Sequence, residues 1–142
     1  MGEETVSNEI KDYILRLNQA TPYHRLLDMN ITKIKKGYCE AKLVVEEKHA
    51  NPMRIAHGGV AFSILDTVSG SAARTIGYEV STVEMNISYF NPSYIGNELT
   101  ALGKVLKAGK KIIVVEGKLY HEGKLLSVSR QNLMNLGPLN LE

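Results

Sequence analysis

Cysteine is nearly absent. Cys39 is the only one in 142 residues, which excludes an intrachain disulfide framework and a cysteine-built zinc site. There is no tryptophan, there are four prolines, and no stretch rich in Pro, Gly or Ser divides the chain, so one domain over 1–142 is expected. No apolar run approaches the ~20 residues that span a bilayer. The net charge is only +2, from 17 basic and 15 acidic residues, which argues against a nucleic-acid binder. The N-terminus, MGEETVSNEI, lacks the basic flank and apolar stretch of a signal peptide, so a cytoplasmic protein is expected. Missing too are G-x-S-x-G, G-x-G-x-x-G, H-E-x-x-H and EF-hand patterns. We therefore expect no serine-hydrolase elbow, no metal and no nicotinamide cofactor.

The rest is ordinary material for a globular core, 44% hydrophobic and 23% charged. Ser7 is placed to cap a first helix carrying Ile10, Ile14 and Leu17 at helical spacing, and Thr21-Pro22 ends it. From Ile31 to Val45 the apolar period becomes two, with a turn at Lys36-Gly37. Glu46 to Ala56 reads as a loop. Gly58 to Ile76 has only Asp66 and Arg74 as charged residues, which predicts a largely buried helix. Four strands should follow, at Thr82–Phe90, Glu98–Lys107, Lys111–Tyr120 and Lys124–Met134, with turns at Gly109 and Glu122-Gly123. Two strands, a buried helix and four strands predict an α+β fold, an antiparallel sheet curled around one central helix.

Candidate chemistry gathers between His49 and Arg74. Asp66 stands in the middle of the buried helix, where an ionised carboxylate is costly without partners. Either it is a structural carboxylate paired with a cap or with Arg74, or it serves a site. Gly59, Ser63, Asp66, Ser69, Gly70 and Ala73 share one side of the helical wheel, and apart from Asp66 all are small. That strip leaves room for a ligand and favours a site. Gly58-Gly59 opens the helix, where free backbone amides can polarise a carbonyl, or simply permits a tight entry. His57, just before, is a cap or a site residue. Lys104, Lys107, Lys110 and Lys111 bracket one turn, either as a solvated hairpin or as a lure for phosphates. Met85, Tyr89, Phe90 and Tyr94 are either core or pocket lining.

Asn51-Pro52, His57-Gly58-Gly59-Val60 and Leu65-Asp66 together resemble the PaaI-like acyl-CoA thioesterases of the hotdog fold. Ser81 to Pro92, STVEMNISYFNP, is similar to that family's third strand and the turn after it. The likeness runs from about Leu26 to Met134. It implies a six-stranded antiparallel sheet around a long helix, with subunits paired through their third strands into a homodimer or a dimer-of-dimers tetramer. It implies hydrolysis of an acyl-CoA to free acid and CoA, with Asp66 as general base or nucleophile and the Gly59 N–H on the thioester carbonyl. His57 and Asn51 would then lie near the sulfur and carbonyl, Thr82 would position water or the carboxylate, and Gly58, Lys110 and Lys111 would help bind substrate. Arg54 departs from the family pattern, since many relatives carry a small residue there, often glycine. The rival expectations are a non-catalytic acyl-CoA sensor and an acyl-thioester hydratase or dehydratase.

Overall fold

The computed structural model of the chain describes residues 5–142, so the first four residues of the N-terminal reading lie outside it. Helix α1, Asn8–Ala20, begins where Ser7 Oγ accepts the Ile10 N–H at 3.2 Å. It ends at Thr21, and Pro22 opens α2, Pro22–Leu27, at a position where its missing N–H costs nothing. Strands β1, Asn30–Lys35, and β2, Tyr38–Val44, pair across the Lys36-Gly37 turn. The expected loop follows and contains a short 3₁₀ turn at Glu47–His49. Then come α3, Gly58–Arg74, and strands β3, Tyr78–Tyr89, β4, Glu98–Ala108, β5, Ile112–His121, and β6, Lys124–Pro138.

Two of the last four strands' ends differ from expectation by four residues, for one reason, and the others by one at most. β3 begins four residues early, because Gly77 at φ 97° turns the chain from helix into strand at once. β6 runs on to Pro138 because it pairs with that extension, Tyr78 opposite Pro138.

All pairs are antiparallel, and the six strands lie in the order β1-β2-β4-β5-β6-β3. This is the hotdog architecture. The sheet wraps α3, whose Ile64, Leu65, Val68 and Ala72 are completely buried against it. Gly103 on β4 makes that approach possible, since a Cβ there would lie 2.7 Å from the Val68 carbonyl oxygen. The helix is not buried all round. Gly59 and Phe62 are exposed and Ser63 and Asp66 half-buried, while Ser69 and Ala73, which the wheel grouped with them, are buried.

β3 forms one edge of the sheet and carries an irregularity between Thr82 and Glu84. The extra residue switches the inward parity from Val80 to Met85 and Ile87, the side chains packed toward the core. No helix among the described residues is long and apolar enough to cross a membrane.

Candidate active site

The expected site residues fall into two groups. The first surrounds the N-terminus of α3. The His57 imidazole caps the helix, its Nδ1 accepting the Gly59 N–H at 2.8 Å. The Gly58 N–H, one turn position earlier, has no hydrogen-bond partner among the described residues. Its carbonyl accepts the Tyr89 hydroxyl at 2.7 Å. Asn51 turns its Oδ1 back onto the Met53 and Ile55 amides at 2.9 and 3.3 Å, which leaves Nδ2 as its unengaged donor. Arg54 takes φ 65° inside that loop, the left-handed conformation that glycine adopts most easily, and pairs with Glu47 at 3.1 Å. Asn51, His57 and Gly58 line a cavity of about 340 Å³ together with Tyr89, Phe90 and the buried Leu99. So Tyr89 and Phe90 line this cavity, and Tyr94 and Met85 are not among its walls.

The second group sits two turns along α3. Asp66 Oδ1 accepts the Thr82 hydroxyl at 3.0 Å and the Gln131 amide, and that same Nε2 donates to Thr82 Oγ1 at 2.7 Å. One oxygen of the carboxylate is thus pinned by two donors. Gln131 is completely buried on β6. Sequence reasoning missed it, although a signal existed: it takes an inward position in the alternation Ser127, Ser129, Gln131, Leu133, where a polar side chain needs a partner. Asp66 and Thr82 line a second cavity, of about 260 Å³, roofed by α1 and α2.

The two groups do not meet within one chain. Gly58 and Asp66 are eight residues apart on one helix, ~12 Å along its axis. Cys39 offers no alternative nucleophile, because burial pushes its thiol up to about 12. The five small residues of the wheel are divided as well: Gly70 lines the second cavity, whereas Ser63 is held by the Tyr23 hydroxyl at 2.7 Å.

A family model described as the thioesterase superfamily matches residues 53–128, which include His57, Gly58, Asp66 and Thr82 but neither Asn51 nor Gln131. The chain belongs to the thioesterase superfamily. It is 29% identical to human acyl-coenzyme A thioesterase 13 over 134 residues, covering 89% of this chain and 94% of that protein. It is 31% identical to a putative esterase of Archaeoglobus fulgidus over 102 residues, 72% of this chain and 64% of that one. Among solved structures, the E. coli PaaI protein superposes with a TM-score of 0.88 at 21% identity, over 94% of this chain and 98% of its own.

This thioesterase is a PaaI-like hotdog protein and, by class, a thioester hydrolase. Lys110 and Lys111 are exposed in its β4–β5 turn. Lys111 O bonds to the Asn135 N–H, which places that turn at the sheet end opposite Tyr89 and Gly58 of the same chain.

Proposed function

We propose that the protein hydrolyses an acyl-CoA to free acid and CoA at sites shared between two subunits paired along β3. The observation that carries this is the ~12 Å separating the helix-end donors from Asp66, which one thioester cannot bridge. An active geometry needs base and oxyanion donors each within about 3 Å of the reacting atoms. A two-fold axis at β3 sets two antiparallel α3 helices side by side and brings the Gly58 end of one level with Asp66 of the other. The edge supports such pairing: Tyr78–Tyr89 is a long edge strand, paired with β6 on one side only, with no Lys or Pro to guard the other, and Val83 is 56% exposed.

In this reading Asp66, pinned at Oδ1 by Thr82 and Gln131, takes a proton from water through its other oxygen. The water oxygen bonds to the thioester carbon. Charge developing on the carbonyl oxygen falls to the Gly58 N–H and Asn51 Nδ2 of the partner subunit. We assign the amide to Gly58 rather than to the expected Gly59, because the Gly59 N–H is already given to His57. His57 then acts through the helix entry it caps. The tetrahedral intermediate collapses by breaking the C–S bond, and the proton on Asp66 passes to the departing thiolate. The same two-fold brings the Lys110-Lys111 turn toward the end of the sheet that carries the partner's Gly58, which suits these lysines to the CoA phosphates.

The test is thiol release from a panel of acyl-CoAs by the purified protein. Turnover that falls at least about 10²-fold in Asp66→Asn, with binding kept, is the expected result. Acyl-CoA binding with no turnover in the wild type would instead make the protein a sensor. Neutralising Lys110 and Lys111 should raise KM for acyl-CoA more than for a short thioester lacking the nucleotide, and equal effects would remove them from the site.

A further inference from the structure

Asp66 is held from behind by a side chain that is itself only half engaged. Gln131 turns Nε2 to Asp66 Oδ1 and Thr82 Oγ1. An ionised carboxylate only accepts, so the amide faces it with nitrogen and its Oε1 faces away. That Oε1 is buried and has no hydrogen-bond partner among the described residues. Two further buried oxygens stand in the same condition, Ser69 Oγ on α3 and Ser129 Oγ on β6. All three residues are at most 1% exposed.

The three belong to one place. Ser129 and Gln131 are alternate residues of β6 and share its inward face. Ser69 stands one turn beyond Asp66 on α3, on the side of the helix that Gln131 reaches. Gly117, opposite Ser129 in the register, shows how near the two hydroxyls come. Ser129 Oγ crowds the place that a Gly117 Cβ would need, and Ser69 Oγ is 3.5 Å from that place. Other hydroxyls of α3 give their protons to the helix itself, Ser63 to Gly59 O at 2.7 Å and Thr67 to Ser63 O at 2.9 Å. Ser69 does not, so its proton is left for the seam between helix and sheet. Each serine thus holds an uncommitted donor and Gln131 an uncommitted acceptor, with no direct bond among them. One water matches all three, accepting from both hydroxyls and donating to Oε1. Three hydrogen bonds is the usual number for a buried water.

We propose, resting on the thioesterase reading above, that a single buried water joins Ser69, Ser129 and Gln131 behind Asp66, and that the two serines are positioning residues for the base. With Oε1 held, the carboxamide keeps Nε2 on Oδ1 and leaves the other carboxylate oxygen to meet the attacking water. Neither serine touches substrate. Each acts through Gln131.

The experiment joins high-resolution crystallography to a mutant cycle. The wild type should show one water within about 3 Å of all three atoms. In the double variant Ser69→Ala/Ser129→Ala that water should be gone, and kcat should fall about five- to tenfold with KM within about twofold of wild type. In a Gln131→Leu background the same two substitutions should change kcat by no more than about 1.5-fold, since their route to Asp66 is already cut. Serines that served only stability would show no such dependence on Gln131. No water at the three atoms, an unchanged kcat, or an equal loss in both backgrounds overturns the proposal. Should the double variant fail to fold, Ser129→Ala alone is held to the same cycle. If the wild type cleaves no thioester, the hydrolase reading falls and the crystal structures still decide. A water on the three atoms, with a Gln131 amide that leaves Asp66 once the serines are removed, upholds the proposal; no water, or an amide that stays, refutes it.

Discussion

Two inactive parents should make an active enzyme. Asp66→Asn keeps the shape of the carboxylate and removes the base. Gly58→Val places bulk over the helix-end amide, where even a Cβ would stand 3.1 Å from the Tyr89 hydroxyl oxygen. Each homodimer should retain no more than about 1% of wild-type turnover, since a general base and an oxyanion donor are each worth at least about 10²-fold. After subunit exchange at equal concentrations, about half the dimers carry one parent of each kind. In a shared site the intact Asp66 of one subunit meets the intact Gly58 of the other, so each mixed dimer has one working site and one doubly damaged site. Activity should then return to about a quarter of wild type, at least about 25-fold above either parent. Thiol release follows the recovery, and native mass spectrometry confirms the exchange. If mixed dimers form and activity stays at the parental level, base and donor belong to one chain and the two-fold geometry is wrong.

Gln131→Leu should lower kcat by about 10- to 100-fold with KM little changed, because it frees Asp66 and Thr82 without touching substrate; a KM effect alone in steady-state kinetics would count against a positioning role. Gly103→Ala forces a Cβ to within 2.7 Å of the Val68 carbonyl oxygen and should cost about 1–3 kcal/mol, read as a lowered urea midpoint. Burial alone would raise the Glu79 carboxyl, yet the Val80 N–H, the Arg74 guanidinium and the Tyr13 hydroxyl hold it below its ordinary value. Its contribution is therefore present at neutral pH and lost as pH falls below about 4.5 through the depressed value. Glu79→Gln should lower Tm at pH 7 and shrink the wild-type loss of Tm on acidification, and an unchanged acid slope would discount the Arg74–Glu79–Tyr13 link.

The order of elements was legible because its signals are local. Ser7 and Pro22 bound α1, alternation marks β1 and β2, and the Glu122-Gly123 turn, with both residues at positive φ, joins β5 to β6. The long run of α3 with only Asp66 and Arg74 charged fits a helix that a sheet enfolds. What stayed hidden depends on pairing across the chain. Gln131 reaches Asp66 from 65 residues away, and its inward place on β6 says that it needs a partner without saying which; Thr82, 16 residues away, was expected near the carboxylate through the resemblance and not from its own pattern. The wheel could not show that Ser69 turns to the sheet, because that follows from where Gly103 and Gly117 let α3 settle. Choosing between Gly58 and Gly59 likewise required seeing which amide His57 had taken.

The donors at the α3 N-terminus sit on a loop, and a loop holds a reacting geometry only if something fixes it. Here one buried side chain does so. The His49 ring accepts the Glu46 N–H at Nδ1, 2.8 Å, and donates from Nε2 to the Leu27 carbonyl at 2.9 Å, while its own backbone carbonyl accepts the His57 N–H at 2.8 Å. The end of α2, the loop carrying Asn51 and the first turn of α3 are thereby tied at a single residue that is 1% exposed. A leucine of similar size would fill the space but leave the Glu46 N–H and the Leu27 carbonyl without their partner. The same clamp joins α2, which bears His24 over the cavity beside Asp66, to Gly58 and Asn51. In the proposed shared-site arrangement it couples the helix beside the base of one site to the oxyanion donors of the other.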